Sequence, residues 1–235
     1  MADAIIQARM SSSRLPGKVL KKINGITNLE CLMRQLSFSK LLDRKILATT
    51  VEKEDDAIYD MAVSQKWQVF RGQKDDVLDR FYQCAKKFDI KIIVRITADN
   101  PLIDPYMVDR VVESFENAGV DYVSNCQVRS FPYGTEVEVF SFDALEKAWN
   151  ETQTPHEREH VTPFLIDNTQ LFKQHCIKHE NDLSHMRWTV DTENDFELVR
   201  QIYKRLKKDP PFLWEDIVEI FKKEPELLEI NKTGS

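Results

Sequence analysis

Ala4-Ile5-Ile6-Gln7-Ala8-Arg9-Met10-Ser11-Ser12-Ser13-Arg14-Leu15-Pro16-Gly17-Lys18 opens as an apolar run and passes without a break into a charged turn. Residues 4–8 have the length and character of a buried strand. The next ten residues carry three cations (Arg9, Arg14, Lys18), three consecutive serines and a Pro-Gly turn. A triphosphate would be met well by such a loop. Arginine forks onto phosphate oxygens, lysine supplies a point charge, and the turn can aim backbone N–H groups at an anion. The same composition also suits a solvated basic turn. It is not a Walker A loop, because the glycine required before Gly17-Lys18 is missing and Val19 stands where Ser or Thr would hold magnesium.

Outward from this stretch, short apolar runs alternate with helical patterns. Strands are expected at residues 4–8, 45–50, 68–70, 91–96, 121–125, 135–140, 172–177 and 186–190. Between them Leu29, Leu32, Met33 and Leu36 recur at helical spacing, as do Val77, Leu78, Phe81, Tyr82 and Ala85, then Met107, Val108, Val111, Val112 and Phe115. Strand followed by helix, repeated, implies right-handed crossovers and a mostly parallel sheet covered on both faces, with ligands at the strand C-terminal ends. The second half is less regular and suits an antiparallel extension or dimerisation flap. Phe196, Val199, Ile202, Tyr203 and Leu206 mark a last strong helix, with Asp191-Thr192-Glu193 as its capped start. The charged stretch from Lys222 is expected to fray.

At 235 residues one α/β core is expected. Acidic residues outnumber basic ones, 39 to 33, the wrong sign for non-specific nucleic-acid binding. Four scattered cysteines, Cys31, Cys84, Cys126 and Cys176, form no CxxC pair, which argues against disulfides and structural zinc. With no basic n-region and no apolar run of membrane-spanning length, a soluble cytoplasmic protein is expected.

Two further segments carry chemistry. Arg95-Ile96-Thr97-Ala98-Asp99-Asn100 and Arg187-Trp188-Thr189-Val190-Asp191-Thr192 each run from an apolar stretch into an aspartate. Two carboxylates meeting over phosphates are what an oxygen-seeking Mg²⁺ uses. An ordinary loop or helix N-cap role is the alternative for each, and Asp191 can serve both.

Gln7-Ala8-Arg9-Met10, Ser12-Ser13-Arg14-Leu15-Pro16-Gly17-Lys18, Asp75-Asp76-Val77-Leu78-Asp79-Arg80-Phe81, Asp99-Asn100-Pro101-Leu102-Ile103-Asp104-Pro105, Glu136-Val137-Glu138-Val139-Phe140 and Val190-Asp191-Thr192-Glu193 together resemble the SpsF-like, spore-coat polysaccharide branch of the cytidylyltransferase family. The resemblance spans nearly the whole chain. That family includes the CMP-sugar synthetases for 3-deoxy-manno-octulosonate and acylneuraminates. It implies a three-layer α/β fold with a mostly parallel mixed sheet, of the nucleotide-diphospho-sugar transferase (GT-A-like) type. It implies a single domain over residues 1–222, an acceptor or dimerisation part within 126–186, and a tail at 223–235. It also implies transfer of CMP from CTP to an acidic, 2-keto or nonulosonic sugar with Mg²⁺, in surface polysaccharide biosynthesis, by a homodimer. Arg9, Ser12, Arg14 and Lys18 would then contact the CTP phosphates, with Ala8 and Ser13 in the same loop. Arg9, Lys18, Asp99 and Asp191 would be catalytic, Asp99 and Asp191 would bind the metal, and Arg71 and Gly72 would help surround the nucleotide.

Two alternatives remain on the residues: a glycosyltransferase of the same fold, disfavoured because no DxD triplet follows a strand, and a nucleotide-binding subunit without turnover. His156-Glu157-Arg158-Glu159-His160 fits the HExxH zinc pattern, but Pro163 limits the continuous helix that motif needs. The resemblance instead puts Glu159 and His160 on the acceptor side. The four tryptophans read as core or interface residues, and the acidic run from Glu52 to Asp56 as a solvated helix start.

Overall fold

Alternation within the first strand assigns its side chains to two different layers. In the computed structural model, which describes residues 1–232, β1 (Ala2–Gln7) sends Ala4 and Ile6 into one apolar cluster and Ile5 into another. A short hairpin follows, β2 (Lys22–Ile23) and β3 (Ile26–Thr27), then α1 (Asn28–Leu36), β4 (Leu42–Thr50), α2 (Asp56–Ser64), β5 (Gln68–Gly72), α3 (Val77–Lys87), β6 (Ile92–Thr97) and α4 (Pro105–Ala118). The second half comprises β7 (Tyr122–Ser124), β8 (Glu138–Ser141), α5 (Phe142–Glu151), α6 (Pro155–His160), α7 (Pro163–Asp167), β9 (Gln174–Cys176), α8 (Glu193–Arg205) and α9 (Trp214–Lys223).

Seven strands form one sheet in the order β5-β4-β1-β6-β8-β7-β9. The first four are mutually parallel, β8 is antiparallel to both β6 and β7, and β9 is parallel to β7. This is the expected three-layer, mostly parallel mixed sheet. Helices α1, α2 and α4 cover one face and α3, α5 and α7 the other, with α1, α3 and α4 packing through the apolar stripes read in the sequence. A third cluster joins α8, α9, β2 and Trp188 beside the sheet. Because the parallel strands run the same way, the C-terminal ends of β1, β4 and β6 open on one side, where the loops that follow them meet.

Several expectations are corrected. Residues 186–190 are not a sheet strand: Tyr133 N–H donates to Met186 O (2.9 Å), Trp188 N–H to Tyr133 O (2.8 Å), and Val190 N–H to Asp99 O (2.8 Å). β6 is already flanked by β1 and β8, so this apolar run is buried in the third cluster and takes its hydrogen bonds from loops. The strand expected from Thr135 begins only at Glu138, because the Asn125 side chain replaces the ladder, donating to Thr135 O (2.7 Å) and accepting from Val137 N–H (2.8 Å). The β2–β3 hairpin was not anticipated, although Asn24-Gly25, both at positive φ, is a two-residue hairpin turn. Its strands are too short to show alternation. The stretch from Lys222 does not fray: α9 runs to Lys223, Leu227 is buried in the third cluster, and Asn231 Nδ2 donates to Arg187 O (3.1 Å) and Asp195 Oδ1 (2.8 Å). Apolar Leu227 and the side-chain amide of Asn231 outweigh the surrounding charge. Residues 233–235 of that tail lie outside the described residues. Among the described residues no helix is long and apolar enough to cross a membrane.

Candidate active site

The turn after β1 is shaped mainly by its own backbone. Ser12 N–H and Gly17 N–H both donate to Met10 O (2.9 Å each), and Lys18 N–H donates to Leu15 O (3.2 Å). Gly17 sits at φ +69°, a left-handed conformation that glycine takes without steric cost. One remote group completes the loop. Asp55, fully buried, accepts from Met10 N–H at 2.6 Å and also bonds the Thr50 hydroxyl. The acidic run expected to be solvated therefore contains a buried clamp on the cation loop. Only Asp55 of the run turns inward, from a single turn of 3₁₀-helix too short to show a periodicity.

The Lys18 ammonium is the meeting point of three segments. Nζ donates to Asp99 Oδ2 (2.8 Å), Asp191 Oδ1 (2.9 Å) and Val190 O (2.8 Å). Asp99 follows β6 by two residues and is held on its carbonyl side by Val190 N–H. Asp191 is also paired with Arg14 (3.0 Å) and Arg187. Burial alone would raise the Asp191 carboxyl; Lys18, then Arg14 and Arg187, outweigh it and hold the group below its ordinary range, so it is ionised at neutral pH. Burial likewise opposes the Lys18 charge, and Asp99 and Asp191 outweigh it, raising the ammonium. Asp191 is not the cap of α8: Thr192 is, with its Oγ1 accepting from Asp195 N–H (3.2 Å) and Asp195 answering at Thr192 N–H (2.9 Å).

A cleft of about 290 Å³ brings together Ala8, Arg9, Ser12, Ser13, Arg14, Lys18, Asp99 and Asp191. Arg71 and Gly72 lie elsewhere, in a separate open depression with Phe70, Gln83, Lys86 and Lys87. The Arg71 guanidinium is committed to Thr50 O (2.7 Å), Glu52 O (2.9 Å) and Asp56 (2.7 Å), where it ties β5 to the end of β4.

Sequence reasoning assigned no part in the cleft to Gln7, Arg80 and Arg95, which also line it. The signal was present. Arg80 falls on the apolar stripe of α3 among Val77, Phe81 and Cys84, and Arg95 interrupts the apolar run of β6. Charged residues on buried faces are the informative exceptions to apolar patterning. Glu159 and His160 line the rim, and Arg9 pairs loosely with Glu159 (3.6 Å). In α6 the His156 and His160 rings lie 4.5 Å apart. Glu157 is spent on a capping box with Thr154, and the helix ends at His160.

The cytidylyltransferase family model matches residues 4–233. An uncharacterized protein of Methanocaldococcus jannaschii is 42% identical over 232 residues, which cover 97% of this chain and 93% of that one. The spore coat polysaccharide biosynthesis protein SpsF of Bacillus subtilis is 29% identical over 229 residues, 94% of each chain. A solved cytidylyltransferase structure from Leptospira borgpetersenii superposes with a TM-score of 0.94 at 36% identity, over 100% of this chain and 98% of that one. The match runs over nearly the whole chain, so the loop, the aspartates and the half-sheet that positions them all lie within it, and the chain is a member of the cytidylyltransferase family.

Proposed function

We propose that this enzyme transfers CMP from CTP to the hydroxyl of an acidic sugar and releases pyrophosphate, with Mg²⁺, in the building of a surface polysaccharide. The observation that carries this reading is the convergence of Lys18 with Asp99 and Asp191 beneath a loop of arginines and serines. The acceptor's anomeric oxygen attacks the α-phosphorus. An O–P bond forms, the bond to the bridging oxygen of the β-phosphate breaks, and the hydroxyl proton is lost to solvent or buffer. No covalent nucleophile is needed, so the chain mainly binds, orients and neutralises two anionic reactants.

Arg9, Ser12, Arg14 and Lys18 supply the positive charge and the hydroxyl donor for the phosphates. Three oxygens, from Asp99, Asp191 and the Val190 carbonyl, already face one cationic centre. An all-oxygen set with two carboxylates fits a hard divalent cation, and Asp99 and Asp191 are the residues that would hold it. When bound, Mg²⁺ supplies charge neutralisation at the phosphates. The acidic acceptor follows from the motif resemblance to the CMP-sugar synthetases and from the arginines lining the cleft. Homodimerisation through residues 126–186 belongs to the same proposal; β9 forms one end of the sheet, and sedimentation of the purified chain as a monomer would refute it.

The test is pyrophosphate release with Mg²⁺, each of the four NTPs being paired with a panel of 2-keto sugar acids and ordinary sugar phosphates. Release with CTP and an acid is expected. Release without an acid requirement, or transfer of a sugar from an NDP-sugar with no pyrophosphate, would sink the proposal. Asp191→Asn should abolish most turnover while leaving the fold intact.

A further inference from the structure

Asp191 meets three cations, and its two oxygens are not used alike. Oδ1 accepts from Lys18 Nζ (2.9 Å) and pairs with Arg14 (3.0 Å), both from the cation loop, whereas Oδ2 is bonded by Arg187. Lys18 and Arg14 line the cleft and Arg187 does not. One oxygen of the carboxylate therefore serves the cleft, and the other is held by a residue outside it.

Arg187 is itself tightly braced. Met186, Trp188 and Val190 are buried in the third apolar cluster, and Arg187, between the first two, stays half-buried. Its backbone pairs with Tyr133, and its carbonyl accepts from Asn231 Nδ2 (3.1 Å). The guanidinium carbon lies 5.6 Å from the centre of the Tyr133 ring. Arg187 Nε donates to Asp195 Oδ1 (3.4 Å), which also accepts from Asn231 Nδ2 (2.8 Å). Asp195 is buried in the first turn of α8 and answers the Thr192 cap. Exposed ion pairs between mobile side chains order little. A guanidinium held along its stem and at Nε keeps little rotamer freedom, so its rigid fork fixes the oxygen it touches.

We propose that Arg187 is a positioning residue: by occupying Oδ2 it makes Asp191 present a single oxygen, and this presentation makes the enzyme select Mg²⁺ over the larger Ca²⁺. The inference rests on the reading of Asp191 as a holder of Mg²⁺ given above. The two ions make different demands. Mg²⁺ requires a near-octahedral set of oxygens and keeps waters and phosphates among them, whereas Ca²⁺ takes roughly six to eight oxygens and accepts both oxygens of one carboxylate. With Arg187 on Oδ2, the two-oxygen mode costs a charge-assisted hydrogen bond; without Arg187 that mode is open.

The experiment uses the full-length enzyme and three variants. Arg187→Met keeps an unbranched stem beside Tyr133 and removes the fork. Arg187→Lys is milder, keeps a cation without the fork, and carries the test should Arg187→Met not fold. Asn231→Ala loosens the same segment but leaves the pair between Arg187 and Asp191 in place. Calorimetry without an acceptor reads the affinity for CTP saturated with Mg²⁺, for CTP saturated with Ca²⁺ and for CTP with a chelator, and urea titration reads stability. Losing a cation beside Asp191 alters the attraction for both dications alike, so the ratio of the two affinities isolates the geometry. Wild type should bind the Mg²⁺ complex about tenfold or more tightly than the Ca²⁺ complex. That ratio should fall about tenfold in Arg187→Met, the size of one charge-assisted hydrogen bond, and about threefold in Arg187→Lys. Asn231→Ala should lower the urea midpoint and keep the wild-type ratio. An unchanged ratio in both Arg187 variants, or wild type that does not distinguish the two ions, would overturn the assignment. An equal fall in Asn231→Ala would overturn it too, by reducing Arg187 to a part of the segment's general stability. Wild-type affinity for CTP that is the same with chelator as with Mg²⁺ would instead sink the metal reading on which this one rests.

Discussion

The loop Arg9–Lys18 and the segment Met186–Asp195 meet where Lys18 touches Asp191, yet they are held there by different means. The backbone of the loop closes mostly on itself, through Met10 O and Leu15 O, and is clamped from a distance by Asp55. Up to Val190 the segment is held from far along the chain, by Tyr133, Asp99 and the Asn231 side chain. Trp188, fully buried, sits against Gly134, where a Cβ would come within 2.6 Å of Trp188 Cδ1. Locally closed structure tolerates change elsewhere. Remotely anchored structure does not, so distant substitutions should reach the chemistry through Asp191 far more readily than through the arginines.

The largest effect is expected at the junction itself. Lys18→Met removes the cation that both regions share and leaves Asp99 and Asp191 facing each other without it. Pyrophosphate release should fall about 10³-fold, roughly 4 kcal/mol in the barrier, and the melting temperature should drop as well. Turnover near wild type would mean that the loop is not the phosphate cradle.

Gly134→Ala sharpens the contrast from a distance. Gly134 has φ +108°, and an added Cβ would also lie 2.9 Å from Thr189 N, so either the backbone or Trp188 must move. A loss of about 2–4 kcal/mol in unfolding free energy is expected in urea titration. Turnover should fall more than CTP affinity, because Asp191 is displaced while the loop stays formed. Equal losses in both would show that the two regions are not independently held.

This contrast also explains what the sequence disclosed. The loop was legible because its chemistry and its turn are contiguous: Arg9, Arg14, Lys18 and Gly17 lie within ten residues of the strand that presents them. The parallel half-sheet was legible because β1, β4 and β6 are apolar runs and the helices after β1, β5 and β6 carry apolar stripes. Asp99 and Asp191 were found as residues, but not the Lys18 bridge between them, since a contact across 173 positions leaves no local pattern. Residues 186–190 read as a strand because burial on all sides and burial within a sheet give the same apolar run. Asp55 and Arg80 were passed over because a buried charge is recognised by its partners, and those come from other elements.

Asp55→Asn tests the remote clamp on the loop's backbone. The amide keeps the shape but has a single, neutral oxygen, so it can accept from Met10 N–H only with its NH₂ turned to the Thr50 hydroxyl, which must then accept. A cost of about 1–2 kcal/mol is expected, from the difference between charged and neutral hydrogen bonds. It should appear as about a tenfold rise in KM for CTP with kcat less affected. A fall in kcat with unchanged KM would indicate that Asp55 does not act through the loop.

The smallest effect belongs to the end of the remote segment. Thr192 caps α8, and its hydroxyl bonds Asp195 at both the backbone N–H and Oδ2. Asp195 keeps other partners, however: it accepts from Asp191 N–H (3.2 Å), Thr192 N–H and the Asn231 amide. Thr192→Ala should therefore cost about 1 kcal/mol, the usual value of a helix N-cap, read as a lower urea midpoint. Turnover should be unchanged, since Asp191 N–H is still held by Asp195. Loss of turnover in a variant that remains folded would show that the cap, and not the deeper anchors at Tyr133 and Gly134, positions Asp191 against Lys18.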